Sequence, residues 1–321
     1  MNDAAHDQPL ARRSIEEAPR IAVLVPCFNE AASIALVVRG FKAAVPAAEI
    51  YVYDNNSTDQ TSSIAAAAGA KVRKESLQGK GNVIRRMFAD VEADVYVMVD
   101  GDATYDPAHA QKMINLLLDE RLDMVVAARV HAEDGAYRHG HRIGNKLLTR
   151  AVARLFGNRF TDMLSGYRVF SRRFVKSFPG MSGGFETETE LTIHALELSL
   201  PVAEIATPYR VRVQGSVSKL NTYSDGYRIL RLILVLYKNE RPLQFFSAIA
   251  AILCAIALSL GIPLVLTFIA TGLVLRQPTA ILATGLVLLS ALSLITGLIL
   301  DTVTRGRREI RRLAYLSIKA P

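Results

Sequence analysis

The sequence predicts an α/β chain: a mostly parallel sheet with helices on both faces, followed by an interfacial amphipathic helix and a two-helix transmembrane hairpin. Three observations predict it. Strand-like and helix-like patterns alternate from Ile21 to Ala128, the rhythm of a parallel sheet covered by helices. Polar clusters rich in acids and amides follow three of the predicted strands, where ligands of such sheets bind. Two long uncharged runs, Pro242–Leu275 and Gln277–Leu300, lie toward the C-terminal end.

Taken in order, residues 1–19 form a polar leader with both signs of charge and no apolar stretch, so no cleavable signal peptide is expected. Ile21–Val25 reads as a strand, Glu30–Val45 as a helix by its apolar spacing, and Ile50–Tyr53 as a second strand. Asp59–Ala68 is an alanine-rich helix, and a short strand surrounds Val72. A helix over Gly81–Ala89 leads to the β-branched, aromatic strand Val95–Val99, a helix over Pro107–Glu120 and the strand Met124–Ala128. Past Arg129 the alternation lapses, and His131–Asn145, rich in Gly, His and Arg, reads as a mobile loop leading into a helix. A strand near Tyr167–Phe170, a helix over Glu186–Leu198 and a strand near Val202–Val213 complete a domain over residues 20–221. In residues 222–241, Ile229, Leu232, Ile233, Leu236 and Tyr237 share one face and Arg228 and Arg231 lie elsewhere, the pattern of an amphipathic helix in the membrane interface.

A helix needs roughly 20 apolar residues to cross a bilayer, so both uncharged runs suffice, and two spans are expected within 242–303. Lys238 and Arg241 precede them; Arg305, Arg307, Arg308, Arg311, Arg312 and Lys319 follow; only Arg276 lies between. The positive-inside rule then places the N-terminal domain and both termini in the cytoplasm, with the protein integral to an inner or plasma membrane. The net charge of +8 is densest in the basic tail 304–321. It reads as attraction to anionic lipid headgroups, and no nucleic-acid motif accompanies it. Cys27 and Cys254 form neither a disulfide framework nor a zinc spacing.

The chemistry concentrates at strand ends. Asp100-Gly101-Asp102 follows the fourth strand. Unpaired carboxylates cannot be core residues, because burying them costs several kcal/mol. Together they can hold a hard divalent cation through oxygen, with a nucleotide diphosphate completing its shell; alone, they would favour a solvated turn. Their company favours a site. Pro26-Cys27-Phe28-Asn29-Glu30 follows the first strand and Asp54-Asn55-Asn56-Ser57-Thr58-Asp59 the second, on the same sheet edge. His139-x-His141 is flanked by Arg138 and Arg142, which repel a cation, so it reads as a basic loop.

These motifs, with Gly79-Lys80-Gly81-Asn82, Ser165-Gly166-Tyr167-Arg168 and Ser218-Lys219-Leu220, resemble as an ordered set the family-two glycosyltransferases of GT-A fold. Within them they look most like the polyprenyl-phosphate glycosyl synthases, which include dolichyl-phosphate mannose and glucose synthases. The resemblance covers roughly Arg20 to Lys238, and the two spans resemble the membrane anchor of some members. It implies that Pro26, Asn29, Glu30 and Asp54 contact the base and ribose of the donor, and that Lys80 lines the nucleotide pocket at a helix start. It implies that Asp100 and Asp102 bind Mg²⁺ or Mn²⁺, Asp102 being the stronger direct ligand. Many relatives carry Gln where this chain has Thr104, which leaves a third ligand open.

The resemblance further implies an anionic polyprenyl-phosphate acceptor held by Arg129, Arg142, Arg212 and Lys219. Asp162 falls at the family's catalytic acidic position. A phosphate acceptor is already largely ionised, so Asp162 needs to orient a sugar hydroxyl or an arginine more than to act as base. Glu186, Glu188 and Glu190 read as opening a helix, where negative charge is favourable, with Glu188 the one to reach a sugar pocket. The activity implied is an inverting, metal-dependent transfer of a sugar from a nucleotide donor to undecaprenyl or dolichyl phosphate. A UDP-sugar is favoured and GDP-mannose is the other candidate. A processive polysaccharide synthase and a non-catalytic nucleotide-sugar-binding scaffold are the alternatives. The first lacks its tryptophan-bearing motif in a chain with no Trp; the second would be expected to lack the carboxylates and arginines present here. Homo-oligomerisation stays open.

Overall fold

A computed structural model of the 321-residue chain describes residues 18–131, 150, 160–181, 186–213, 231 and 234–319. The first half runs β1 (Ile21–Cys27), α1 (Ile34–Ala44), β2 (Glu49–Asp54), α2 (Thr61–Ala67), β3 (Lys71–Lys74), α3 (Lys80–Asp90) and β4 (Val95–Met98). A 3₁₀ turn at Pro107–His109 leads into α4 (Ala110–Asp119), and β5 follows (Met124–His131). Then come β6 (Arg168–Ser171), α5 (Arg172–Ser177), α6 (Thr187–Glu197) and β7 (Val202–Tyr209). Two long helices, α7 (Pro242–Thr271) and α8 (Gln277–Leu316), end the described chain.

The strands form one sheet in the order β3-β2-β1-β4-β6-β5-β7. All pairings are parallel except those of β6, which lies antiparallel between β4 and β5. Side chains alternate across the sheet as a two-residue period requires. Leu24, Tyr53, Tyr96 and Phe170 join the layer that holds Ile84 and Met87 of α3 and Phe174 of α5. Val23, Val25, Val52 and Val97 join the layer that holds Phe41 of α1 and Ile114 of α4. The chain reverses its direction of sheet growth between β1 and β4, which opens a crevice at their carboxyl ends.

Two features depart from the sequence reading. The six-residue α5 is too short for a helical period; it starts at Ser171, whose hydroxyl accepts the Phe174 N–H at 3.1 Å. The strand expected to reach Val213 ends at Tyr209. Most of the expected amphipathic helix, and all of the loop after His131, lie outside the described residues; 234–240 are helical, with Leu236 buried and Leu234 exposed.

Helices α7 and α8 span 30 and 40 residues, with mean hydropathies of 2.7 and 2.2 over their most apolar stretches, and are long and apolar enough to cross a membrane. They pack on each other through small residues: Ser290 and Ser293 donate to the Ala250 and Phe246 carbonyls at 2.8 and 3.0 Å, and Gly297 faces Phe246. Beyond Leu300, α8 continues without a break and docks on the sheet domain. Arg308 bonds Glu240 at 3.0 Å, Arg311 pairs with Glu197, and the Tyr315 hydroxyl donates to Asp123 at 2.8 Å. Several arginines read as lipid-facing are thus paired within the protein, because the buried carboxylates of Glu197 and Glu240 require cations.

Candidate active site

A cavity of about 360 Å³ opens at the carboxyl ends of β1 and β4. Pro26, Cys27, Phe28 and Glu30 after β1 line it, with Asn55 after β2, Gln78 to Lys80 and Val83 around the start of α3, Asp100 to Asp102 after β4, and Arg212 after β7. Five segments far apart in sequence meet here because parallel strands all deliver their carboxyl ends to one edge.

Local hydrogen bonds build the walls. Asn29 takes a positive φ of 53°, a conformation asparagine tolerates, and its side-chain oxygen accepts the Thr58 N–H at 2.8 Å. The Glu30 N–H donates to Thr61 at 2.9 Å, which ties the first polar cluster to the second. Asn55 donates to the Glu75 and Leu77 carbonyls and accepts the Gly79 N–H at 2.7 Å, so it holds the loop that delivers Lys80. Gly79 has φ 131°, which suits glycine alone at this entry to α3.

Neither carboxylate of the pair is unpaired, and Asp102 is buried while Asp100 is partly exposed. Asp102 is 4% exposed; its Oδ1 accepts the Thr104 hydroxyl at 2.6 Å, and Arg212 Nη2 lies 2.9 Å from its Oδ2. Thr104 therefore braces Asp102. Asp100 Oδ1 is 2.5 Å from Lys80 Nζ, and Lys80 also pairs with Glu188 at the start of α6. Burial pulls the Lys80 ammonium pKa down, but Asp100 and Glu188 outweigh it and hold the pKa above its ordinary value. Glu188 is buried, and its second oxygen has no hydrogen-bond partner among the described residues. Gly166 backs Asp100 so closely that a β-carbon there would overlap the carboxylate, and its N–H donates to Tyr105 at 2.9 Å.

Next to this cavity, Arg129 and Asp162 form a two-bond pair: Nε to Oδ2 at 2.6 Å and Nη2 to Oδ1 at 2.8 Å. The Arg129 guanidinium also lies 5.5 Å from the Tyr209 ring centroid. Arg168 of the Ser-Gly-Tyr-Arg motif is wholly buried, donating to the Ser165 and Met163 carbonyls and to Thr192. Burial lowers its pKa, opposed by Glu188 and Asp162. It fastens the Asp162–Gly166 turn to α6.

Of the residues singled out from sequence, Pro26, Glu30, Lys80, Asp100, Asp102 and Arg212 share the cavity. Asn29 and Asp54 do not line it. Asp54 turns its carboxylate on its own loop, accepting the Ser57 N–H at 2.9 Å and the Ser62 hydroxyl. Arg142 and Lys219 lie outside the described residues. Sequence reasoning passed over Cys27, Phe28, Asn55, Gln78 and Val83 as wall residues; the first three stand inside motifs it quoted, and Val83 carries no signal beyond helical spacing.

No group of three or more His, Cys, Asp or Glu side chains forms a metal cage among the described residues. Asp100 and Asp102 still suit a divalent cation of the magnesium type, which takes one or two carboxylates and draws its remaining oxygens from phosphates and water. That each already carries a cationic side chain shows that positive charge is favourable where a metal would bind.

A family model described as glycosyl transferase family 2 matches residues 22–178. The chain is 30% identical to glycosyltransferase AglJ of Haloferax volcanii over 90% of its own length and 95% of that protein's. It is 25% identical to an undecaprenyl-phosphate 4-deoxy-4-formamido-L-arabinose transferase of an Enterobacter species, over 80% and 79% of the two chains. Among solved structures it resembles glucosyl-3-phosphoglycerate synthase of Mycobacterium tuberculosis in complex with Mn²⁺, UDP and glucosyl-3-phosphoglycerate. The TM-score is 0.56 at 25% identity, over 68% of this chain and 79% of that one.

Proposed function

The chain belongs to glycosyl transferase family 2, and from that premise we propose that it is an inverting transferase that moves a sugar from a nucleotide donor to a polyprenyl phosphate at the cytoplasmic face of a membrane. The observation that carries the reading is the Asp100–Asp102 pair on a cavity that also holds Lys80 and Arg212. The name of the arabinose transferase and two helices long enough to span a bilayer support the lipid acceptor. The UDP-bound neighbour supports a uridine donor over GDP-mannose.

In this reading Pro26, Phe28 and Glu30 face the nucleoside, while Asn29 and Asp54 brace the two turns after β1 and β2 that frame it. Asp100 and Asp102 hold Mg²⁺ or Mn²⁺ against the diphosphate. When bound, the metal supplies stabilisation of the negative charge that develops on the departing nucleoside diphosphate. Arg129, with Arg142 and Lys219 from outside the described residues, takes the acceptor phosphate, and Arg212, which stands beside Asp102, serves both that phosphate and the donor diphosphate. Its oxygen attacks the anomeric carbon, and the carbon–oxygen bond to the donor breaks with its electron pair left on the β-phosphate. An ionised phosphate needs no base, so Asp162 serves to aim Arg129, as their two-bond pairing suggests. The domain and both termini lie on the cytoplasmic side, as the flanking charges indicate.

The test is to incubate the full chain, in membranes, with undecaprenyl phosphate and a panel of UDP- and GDP-sugars, and to weigh the lipid product. A glycosylated lipid phosphate is expected. Asp102→Asn should lower transfer about a thousandfold with membrane insertion intact. Undiminished transfer by that variant would remove the metal role, and no lipid product from any donor would remove the acceptor.

A further inference from the structure

Each carboxylate of the pair carries a cation of the chain's own. Lys80 Nζ stands 2.5 Å from Asp100 Oδ1, and Arg212 Nη2 stands 2.9 Å from Asp102 Oδ2. These are oxygens that a divalent cation would need, and like charges cannot share them. The arrangement is also built to let go. Behind Lys80 stands Glu188, which shares the ammonium through Oε1 while its Oε2 is buried without a partner among the described residues. The free oxygen is the vacant half of a two-oxygen grip, so Lys80 can leave Asp100 without being stranded as an unpaired buried charge. Arg212 follows the last strand and keeps 31% of its side chain exposed, so it too can leave Asp102 and stay solvated.

We propose that Lys80 and Arg212 are resident counter-cations of the metal-binding carboxylates. They hold Asp100 and Asp102 while the cavity lacks a divalent cation, and they turn to the phosphates once one is bound. Glu188 is the positioning residue that retains Lys80 through the exchange. The inference rests on the metal reading above, and it explains how two carboxylates can face one cavity without mutual repulsion. Its consequence is coupling. Free metal must displace two cations, whereas a metal arriving with a diphosphate also brings the anions that those cations then neutralise. The protein should therefore take up metal and nucleoside diphosphate together and bind metal alone weakly.

Mn²⁺ binding to the full chain in lipid nanodiscs, followed by electron paramagnetic resonance, tests this without any turnover. Titrations are run with Mn²⁺ alone and with saturating UDP or, in parallel, GDP. Wild type is expected to bind Mn²⁺ alone weakly and far more tightly with the nucleotide. Arg212→Gln, at a partly exposed side chain, should bind Mn²⁺ alone about tenfold more tightly and gain less from the nucleotide. The double variant Lys80→Met, Glu188→Gln removes the buried cation and its retaining charge together, so the net buried charge is kept, and it should behave likewise. Tight Mn²⁺–nucleotide binding by wild type, with neither variant gaining affinity for Mn²⁺ alone, would overturn the counter-cation role and leave the metal reading standing. No Mn²⁺ binding by wild type even with nucleotide would overturn both.

Discussion

At the scale of single residues, the cavity depends on how closely backbone and side chains approach. Gly166 has no room for a β-carbon because the Asp100 carboxylate fills that space. Gly166→Ala should push Asp100 off its seat beside Lys80 and lower kcat/KM about a hundredfold, with thermal unfolding shifted by only a few degrees. Wild-type kcat/KM in that variant would mean that Asp100 is positioned otherwise. The Ser-Gly-Tyr-Arg motif is visible in the sequence, but its contact with Asp100 is not, since only the antiparallel insertion of β6 beside β4 brings the two together. Asp54 shows the opposite limit. Its residue type suggested a hydrogen bond to a base, yet short acidic side chains compete for nearby backbone donors, and the Ser57 N–H is the nearer claim. Asp102 was legible as a site residue; that it is buried, braced by Thr104 and paired with Arg212, could be read only from the fold.

At the scale of elements, the strands followed from their apolar runs because a strand buried on both faces shows little else: β1 and β4 start where expected and end within two residues of the expected end, and β2 is one residue longer at each end. The elements that carry no period were hidden, as with α5, and so was the docking of α8, whose arginines read as a basic tail drawn to lipid headgroups until their partners Glu197 and Glu240 were in place. That joint carries a pH dependence. Burial foremost, then the hydrogen bond and charge of Glu240, push the Glu197 carboxyl up to about 8, against the pull of Arg311 and Arg308. A carboxyl raised on folding from its ordinary 4.5 contributes stability that is fully present below that value and is lost as pH climbs through about 8. The melting temperature of the full chain should thus fall between about pH 4.5 and about pH 8 and level off above that, and Glu197→Gln should flatten the fall. Identical slopes for the two proteins would assign the effect elsewhere.

At the scale of the whole molecule, composition alone marked out two long apolar runs after a mixed, charged stretch, and two apolar helices do follow the seven-stranded sheet. If the hairpin spans a bilayer, as proposed, salt and alkaline carbonate washes should leave the chain in the membrane pellet, and only detergent should release it. Release by carbonate would make the helices peripheral. Helix α8 runs 40 residues, about 60 Å at 1.5 Å per residue, from its apolar stretch to Tyr315, whose hydroxyl bonds Asp123 beside the Ser171 hydroxyl. In the proposed reading this unbroken strut would set the height of the cavity mouth above the membrane, and the lipid acceptor, diffusing in the plane of the leaflet, would arrive headgroup first at a port held in place.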